Sequence, residues 1–513
     1  MVTQSSPTDT TPTAGRREWI GLAVLVLPCV LVSMDLSVLF LALPFLSADL
    51  RPSGTELLWI MDIYGFLLAG LLITMGSLGD RIGRRRLLLC GGFAFAAASV
   101  LAAYSDSPTM LIAARALLGV AGATLAPATL SLIRNMFHDA KQRMVAVSVW
   151  TAGFSGGALI GPIAGGILLE HFWWGSVFLI NVPVMVLLLV LGPLLLPEFR
   201  DPRPGKLDLV SVVLSLGAVL LVIYGIKKLA ADGAHWLPVA TIVVGSVLGV
   251  VFVRRQGKLP TPMIDVRLFA ERPFSVALLA GTLMMFVMTG FGWSSSQYLQ
   301  LVLDMRPFTA ALWTLPMFGG MAVGIGSVAA LTRWLRPGHV VGVGFAVAAA
   351  GFAGLTQVDP VSGLPVLVAA GAVMAAGLGM VAALATDMVV ATAPPERAGA
   401  ASALSETGSE FGGALGIALL GGAAATVYRA RMADALPPGI PPEAGETLGA
   451  TAESASGLPA RVGDPWLTAA QAAFTDGLQV TALIAACLTA LAAVAATVLL
   501  GRVPKRDATP DSH

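Results

Sequence analysis

The sequence predicts an all-α protein that crosses a membrane many times. Of its 513 residues, 56% are hydrophobic and only 12% are charged, whereas soluble domains carry about 25% charged residues. The mean hydropathy is +0.82, and apolar runs of bilayer length, which is about 20 residues, recur along the whole chain. The net charge of +1 gives no reason to expect a nucleic-acid partner.

Fourteen apolar runs have the length and composition of a membrane span. We expect each to be a helix, because lipid cannot satisfy the free N–H and C=O groups of an open backbone. The runs cover approximately residues 19–44, 56–78, 87–105, 108–134, 142–168, 174–197, 208–229, 237–254, 274–301, 308–331, 339–358, 363–392, 399–428 and 476–501.

The connections between these runs predict the orientation of the chain. Most of the 31 Lys and Arg residues lie on one side if the N-terminus is cytoplasmic, so the positive-inside rule puts both ends in the cytoplasm. Residues 1–18 are expected to be a disordered cytoplasmic segment, and 502–513 a cytoplasmic tail. The long connection 430–475 is predicted to be extracellular, either as a flexible tether or as an ordered gate or hairpin.

Acids inside the predicted spans are the main functional signal. An ionised carboxylate at the centre of a span costs about 2.5–3.5 kcal/mol on insertion scales, so acids kept there indicate proton or cation binding. The candidates, taken as lone carboxyl groups, are Asp35, Asp62, Glu406 and Glu410. Glu406 and Glu410 are one helical turn apart and share a face, so their charges repel and one is expected to hold a proton.

Arg115 is a base inside the fourth span. An intramembrane arginine needs an acid, a carbonyl group or water as its partner; the alternative is a side chain that snorkels to a helix end. The five His residues are scattered along the sequence, so we predict no metal site.

The connection after the second span carries a specific pattern of glycines and charges, G-x-L-G-D-R-x-G-R-R. A basic cluster alone could be only an anchor on the cytoplasmic side. The full pattern resembles the signature loop of the major facilitator superfamily. The resemblance implies a conformational latch formed by Gly76, Gly79, Asp80, Arg81, Gly83 and Arg84.

Two further motifs resemble the same superfamily. Arg115 and Gly119 form an R-x-x-x-G pattern similar to the fourth-helix motif, which is implicated in proton transfer. The fifth span carries a stripe of small residues that allows close helix contact, and helix packing is one interpretation of it. It also resembles the antiporter motif, predicted to seal and hinge the two halves of the protein, through Gly157, Gly161, Pro162 and Gly165.

Four features together resemble the fourteen-helix drug:proton antiporters, the quaternary-ammonium and fluoroquinolone efflux pumps. They are the fourteen spans, Asp35 in Ser-Met-Asp-Leu-Ser, the stretch 58–64 and Ser405-Glu406-Thr407. The resemblance implies two six-helix bundles, 19–197 and 274–501, with two extra central helices within 208–254. It also implies a monomer in the bacterial cytoplasmic membrane that uses the proton gradient and no cofactor. Such a protein is a carrier rather than an enzyme.

The implied function is proton-coupled export of lipophilic, mostly cationic drugs by alternating access. Trp59, three residues before Asp62, is the first candidate for cation–π contact with such a drug. Five more aromatic side chains are candidates: Tyr64, Phe154, Trp293, Trp313 and Phe318. The tenth-span stretch 317–321 lacks an acid that some relatives carry, which favours monocations or zwitterions.

Two alternatives remain open at this point. The same fold could serve as a dedicated exporter of one endogenous antibiotic, lipid or metabolite. A membrane sensor or scaffold is the alternative from another class, although the intramembrane acids disfavour it. An ATP-driven pump is disfavoured because both Gly-Lys pairs, at 205–206 and 257–258, are followed by Leu rather than by the Ser or Thr of a phosphate-binding loop.

Overall fold

A computed structural model describes residues 14–200, 208–232, 236–259, 262, 266–392, 398–433, 435–437 and 440–500. Within these ranges the regular structure is entirely helical. Thirteen helices are long and apolar enough to cross a membrane, or fourteen when a pair bent by 55° at Ile73 is taken as one span. The predicted all-α membrane fold is therefore confirmed, and the predicted fourteen spans are reached when the bent pair is taken as one span.

The N-terminal half contains seven helices. They are α1 (Arg16–Leu50), α2 (Gly54–Ile82), α3 (Arg84–Ala103), α4 (Pro108–Met136), α5 (Ala140–His171), α6 (Ser176–Leu179) and α7 (Asn181–Leu195). The first helix begins three residues earlier than the apolar run, at Arg16, while residues 1–13 of the predicted disordered segment lie outside the described ranges. The short α6 and α7 together form the sixth span.

Two further helices, α8 (Leu209–Asp232) and α9 (Trp236–Gln256), connect this half to the next. The C-terminal half contains α10 (Arg272–Gln297), α11 (Pro307–Trp334), α12 (Pro337–Leu355), α13 (Leu364–Thr392), α14 (Ala398–Gly416), α15 (Gly422–Met432), α16 (Leu448–Ser456) and α17 (Ala460–Leu500). The π-helical turn Ile417–Gly421 joins α14 to α15, so these two helices make one span. The predicted tail 502–513 lies outside the described ranges.

The connection 430–475 is largely helical where the structure describes it. It contains α16 and the first turns of α17. The hydroxyl of Thr447 accepts a hydrogen bond from the backbone N–H of Ala450 at 3.2 Å and so caps α16. The hydroxyl group of Thr451 in this segment lies 2.8 Å from that of Tyr428 in α15. Of the two structures considered for this segment, the ordered one matches the described residues better than the flexible tether.

Among the described residues, the two halves pack against each other mainly through α2 with α14, α5 with α11, and α1 with α10, and α1 also contacts α16. The extra helix α8 lies against α2 and against the α14–α15 junction. A Cβ atom on Gly70 of α2 would lie 2.3 Å from the Leu216 side chain of α8, so the contact between these helices is close. The extra pair therefore flanks the interface between the halves.

Candidate functional site

The central cavity lies between the two halves and has a volume of about 560 Å³. Helices α1, α2 and α5 contribute its wall on one side, and α10, α11, α13 and α14 on the other. Thr386 and Ser405 lie in the wall within about two helical turns of the helix ends on the predicted cytoplasmic side. The cavity therefore extends toward the end of the protein that carries the signature loop.

Two acids, one from each half, line this cavity. Asp62 of α2 is only 3% exposed, and Glu410 of α14 is half-buried. A Cβ atom on Gly65 of α2 would lie 2.7 Å from Oε2 of Glu410, so the Glu410 carboxylate occupies the space that this glycine leaves open. The absence of a side chain at position 65 brings the carboxylate of one half into contact with the helix of the other.

Helix α14 is held in this orientation by its glycines. Cβ atoms on Gly412 and Gly416 would lie 2.2 and 2.0 Å from the carbonyl oxygens of Thr282 and Phe286 on α10. This glycine face therefore packs directly on the α10 backbone. Glu410 lies on a different side of α14 and points into the cavity.

Asp35 is not a lone acid. Arg115 is fully buried, and its Nη1 donates a hydrogen bond to Oδ2 of Asp35, whose side chain is 3% exposed. Asp35 is also absent from the described wall of the cavity. The prediction that all four acids are lone carboxyl groups was wrong for Asp35, because the fourth helix brings a charge-matched base against the first.

The remaining donors of Arg115 bind the backbone of α2. Its Nε donates to the carbonyl oxygen of Ile60 at 3.0 Å, and Nη2 is 3.5 Å from that of Met61. The guanidinium carbon lies 4.7 Å from the centre of the Tyr64 ring, a cation–π distance. Arg115 therefore joins α4 to α1 and α2, and this buried position does not match the snorkelling alternative.

Trp59 faces the extra helix rather than the cavity. Its ring centre is 6.2 Å from that of Tyr224 on α8, and it packs beside the buried side chain of Phe66. Trp59 is absent from the described cavity wall, whereas Tyr64, Phe154 and Phe318 belong to it. Three aromatic side chains of the predicted set are therefore available to a ligand in this cavity.

Five methionines line the cavity, and the sequence analysis did not identify them as candidates. They are Met61, Met284, Met285, Met288 and Met321. Methionine is flexible and polarizable, and it is common at surfaces that bind varied apolar ligands. The cluster Met284-Met285-Phe286-Val287-Met288 is a signal that could have revealed three of the five.

The signature loop is bound within its own half. Gly83 has a φ of +111°, which a residue with a side chain rarely adopts, and it joins α2 directly to α3. Arg84 makes an ion pair with Asp80 one turn earlier. Gly76 lies on the face of α2 toward α4, where a Cβ atom would lie 3.8 Å from Pro127, and Arg81 lies in the last turn of α2.

Glu198, which the sequence analysis missed, tethers this loop to the end of α7. Its Oε1 accepts a hydrogen bond from the backbone N–H of Arg85 at 3.2 Å, and Oε2 is 3.6 Å from Nε of the same residue. A Cβ atom on Gly83 would lie 2.5 Å from Oε1 of Glu198. The glycine therefore leaves room for the carboxylate. A lone acid after the sixth run, in Leu-Pro-Glu-Phe-Arg, was the available signal.

The glycine stripe of α5 packs on α1, inside the N-terminal half. A Cβ atom on Gly157 would lie 2.3 Å from the Val30 carbonyl oxygen, and one on Gly161 would lie 2.2 Å from the Ser37 hydroxyl. Gly165 approaches Val38 in the same way, and Pro162 lies beside Gly161 in α5. The prediction that this stripe seals the two halves is therefore wrong for these glycines, which face α1.

The halves do meet on α5 one residue beyond the stripe. A Cβ atom on Gly166 would lie 2.7 Å from Cα of Phe308 on α11. At the same end of the protein, the hydroxyl of Ser296 donates to the carbonyl oxygen of Phe40 at 3.1 Å. Arg51 and Glu453 form an ion pair of 2.7 Å between α1 and α16. These contacts hold the halves together at the predicted extracellular end.

Glu406 has a described backbone in α14, but its side chain lies outside the described residues. The structure therefore places Asp62 and Glu410 in the wall of one cavity, pairs Asp35 with Arg115, and leaves the position of the Glu406 carboxylate open.

Two helical bundles around a central cavity, closed at one end by contacts between the halves, define a carrier of the alternating-access class. A model of the Major Facilitator Superfamily matches residues 26–417. The chain therefore belongs to this superfamily and is a multi-pass membrane protein.

Similar proteins extend over nearly the whole chain. Over 505 aligned residues, it is 45% identical to the multidrug efflux pump LfrA of Mycolicibacterium smegmatis. The aligned residues cover 97% of this chain and 99% of LfrA. It is 37% identical to the methyl viologen resistance protein SmvA of Salmonella typhimurium, over 96% of this chain and 100% of SmvA.

Among solved structures, a similar fold is found in a bacterial homologue of the human lysosomal transporter Spinster, crystallised in an inward-facing and unoccupied conformation. The TM-score is 0.64 at 16% identity, and the match covers 95% of this chain and 99% of that one. At this identity the likeness concerns the fold alone.

Proposed function

We propose that this protein exports lipophilic, mostly cationic compounds from the cell in exchange for protons. The observation that carries the proposal is the pair Asp62 and Glu410, which face one cavity from opposite halves. A proton and a cationic compound compete for the same carboxylate. Binding of one therefore favours release of the other, and movement of the halves exposes the site to each side in turn.

The cavity wall supports a broad range of compounds. Most lining side chains are apolar, five are methionines and three are aromatic. Such a wall accepts different shapes through rearrangement of flexible side chains, while the acids select for positive charge. The names of LfrA and SmvA, a multidrug pump and a methyl viologen resistance protein, agree with this proposal. A dedicated exporter of one compound would fail to transport most of a chemically varied panel.

We further propose that the protein acts as a monomer in the cytoplasmic membrane, with both ends in the cytoplasm. The described conformation then has its halves in contact outside, at Arg51–Glu453 and Gly166–Phe308, and its cavity directed inward. In this orientation a compound enters from the cytoplasm or the inner leaflet.

The test is transport in proteoliposomes that contain the full-length protein. Ethidium, a monocation, and methyl viologen, a dication, are loaded on one side, and a pH gradient is imposed with and without an uncoupler. If one proton is exchanged for one monocation, no net charge moves, and each pH unit can support about a tenfold ethidium gradient. An imposed membrane potential should then change ethidium transport little.

The matched variants are Glu410→Gln in the cavity and Asp304→Asn on the exposed surface. The proposal requires uphill ethidium transport that the uncoupler abolishes, a strong loss in Glu410→Gln and no loss in Asp304→Asn. Uphill transport that survives the uncoupler would contradict proton exchange. Transport of ethidium but of no other monocation in a varied panel would instead identify a dedicated exporter, whereas failure of methyl viologen alone would not.

A further inference from the structure

A second cavity, of about 520 Å³, lies at the surface between the end of α4 and the beginning of α5. It is lined by Arg134, Arg143, Met144, Val147 and Ser148. Both helix ends lie on the same side of the protein as the signature loop, because α3 and α4 each cross the membrane once after that loop. This cleft is separate from the central cavity and shares no lining residue with it.

The two arginines of this cleft form no ion pair within the described part of the chain. Arg134 and Arg143 are exposed, and neither forms an ion pair or a hydrogen bond with another described residue. The nearest acid in sequence, Asp139, accepts a hydrogen bond from the Gln142 N–H at 2.9 Å and so caps α5. His138 and Lys141 are also exposed here, and the surroundings are therefore cationic.

Apolar side chains continue from the charged end of the cleft along α5. Met144 and Val145 are 66% and 47% exposed, and Val149 is exposed one turn further into the span. Exposed apolar side chains on a membrane helix face the hydrocarbon of the lipid. The cleft thus has a cationic end at the level of the lipid headgroups and an apolar wall that leads into the bilayer.

We propose that this cleft binds an anionic phospholipid. Its phosphate lies between the guanidinium groups of Arg134 and Arg143, and one acyl chain follows Met144 and Val147. Guanidinium groups match phosphate oxygens with paired hydrogen bonds, and basic pockets between membrane helices are suited to anionic headgroups. The apolar wall favours a lipid over free phosphate, which has no group to contact it.

The test is native mass spectrometry of the full-length protein titrated with dioleoyl phosphatidylglycerol or dioleoyl phosphatidylcholine. In Arg134→Gln/Arg143→Gln we expect phosphatidylglycerol to bind about thirtyfold more weakly, which corresponds to about 1 kcal/mol for each arginine. Each single variant should lose about fivefold. The single variants keep the proposal testable if the double variant is poorly folded.

The matched control is Arg254→Gln/Arg333→Gln. These arginines lie in the last turns of α9 and α11 on the same side, are exposed, and make no ion pair within the described residues. Their loss should leave phosphatidylglycerol binding unchanged. An equal loss in the control, equal binding of phosphatidylcholine, or displacement of the lipid by an equal concentration of inorganic phosphate would each overturn the proposal.

Discussion

Asp35 and Glu410 are both acids inside membrane-spanning helices, and the structure places them in opposite surroundings. Asp35 is held by a fully buried arginine and is absent from the described cavity wall. Glu410 lies half-buried in the cavity wall, against a glycine of the other half. A carboxylate with a permanent charge partner joins helices, whereas one that faces a cavity between mobile halves can exchange its partner. Two carboxylates inside membrane-spanning helices therefore have different neighbours, which suit them to different roles.

The largest effect is expected when the charge partner of Asp35 is removed. Arg115→Leu leaves a buried carboxylate without its base and removes the bonds to the α2 backbone. We expect a loss of stability of about 3 kcal/mol, because breaking one side of a buried pair is strongly destabilising. Thermal unfolding of the purified protein in detergent measures this loss.

Two further variants check the cause. Arg115→Leu/Asp35→Asn, which removes both charges, should recover part of the lost stability. Arg333→Leu removes an exposed arginine and should change little. If Arg115→Leu unfolds at the temperature of the unaltered protein, the structural role of the pair is wrong.

The second prediction concerns the packing that supports Asp35. Gly161→Ala introduces a Cβ atom that would lie 2.9 Å from Cγ of Met34, the residue before Asp35, and closer still to Ser37. We expect a loss of about 2 kcal/mol from overpacking. Gly156→Ala, on the same helix with open space around it, is the control and should be neutral or slightly stabilising. Equal unfolding temperatures for the two variants would contradict the account.

The third prediction concerns the role of the cavity acids in proton-driven efflux. Glu410→Gln should lower proton-driven ethidium efflux at least about tenfold with unchanged unfolding temperature, because a neutral amide cannot exchange a proton for a cation. Glu406 belongs to the Ser-Glu-Thr stretch that carries the family resemblance, whereas Glu410 lies in the described cavity wall. We expect the larger loss in Glu410→Gln. Comparison of Glu406→Gln with Glu410→Gln in the same vesicles decides between them.

The fourth and smallest effect concerns an arginine-bound acid outside the membrane. Arg255 donates to Asp208 at 2.9 Å, and this hydrogen bond, together with those from Ser211, lowers the pKa of Asp208 from 3.8 to about 2. Because the folded-state pKa is below the ordinary one, the stabilising contribution is complete above about pH 4 and is lost as the pH falls toward 2.

The corresponding measurement is amide hydrogen exchange at Ser211, whose N–H donates to Asp208 at 3.1 Å. After correction for the intrinsic rate, its protection should fall between pH 4 and pH 2 in the unaltered protein. In Asp208→Asn it should not depend on pH over this range. An identical pH dependence in both proteins would show that another group is responsible.

The sequence predicted the spans and the kind of residues at work, but not their neighbours. The length of the apolar runs was enough to predict the helices. The energetic cost of a buried charge also predicted, correctly, that Arg115 has a partner. Whether that partner was Asp35 or Asp62 depended on the rotation of α1 and α2 about their axes, which sequence spacing does not define. Glu410 reaches the cavity through the missing side chain of Gly65, a contact between residues far apart in the chain.

The prediction that Trp59 contacts a ligand beside Asp62 does not match the structure, for a related reason. Residues three apart on a helix differ by about 60° in direction, which is enough for Asp62 to face the cavity while Trp59 contacts Tyr224 on α8. The segment 430–475 contains several prolines and acids, a composition typical of a flexible tether. Nevertheless, Thr447 caps a helix there, and the first residue of that helix, Leu448, is buried. Turn-forming composition does not exclude short helices that pack on neighbouring spans.

The exchange of a proton for a cation at the cavity acids is tested by the number of protons released when ethidium binds the purified protein in weakly buffered detergent. We expect release by the unaltered protein and by the folded fraction of Asp35→Asn, and none by Asp62→Asn/Glu410→Gln. Normal release by the double cavity variant, together with its loss in Asp35→Asn, would show that the arginine-bound acid is the exchanging group and would contradict the account.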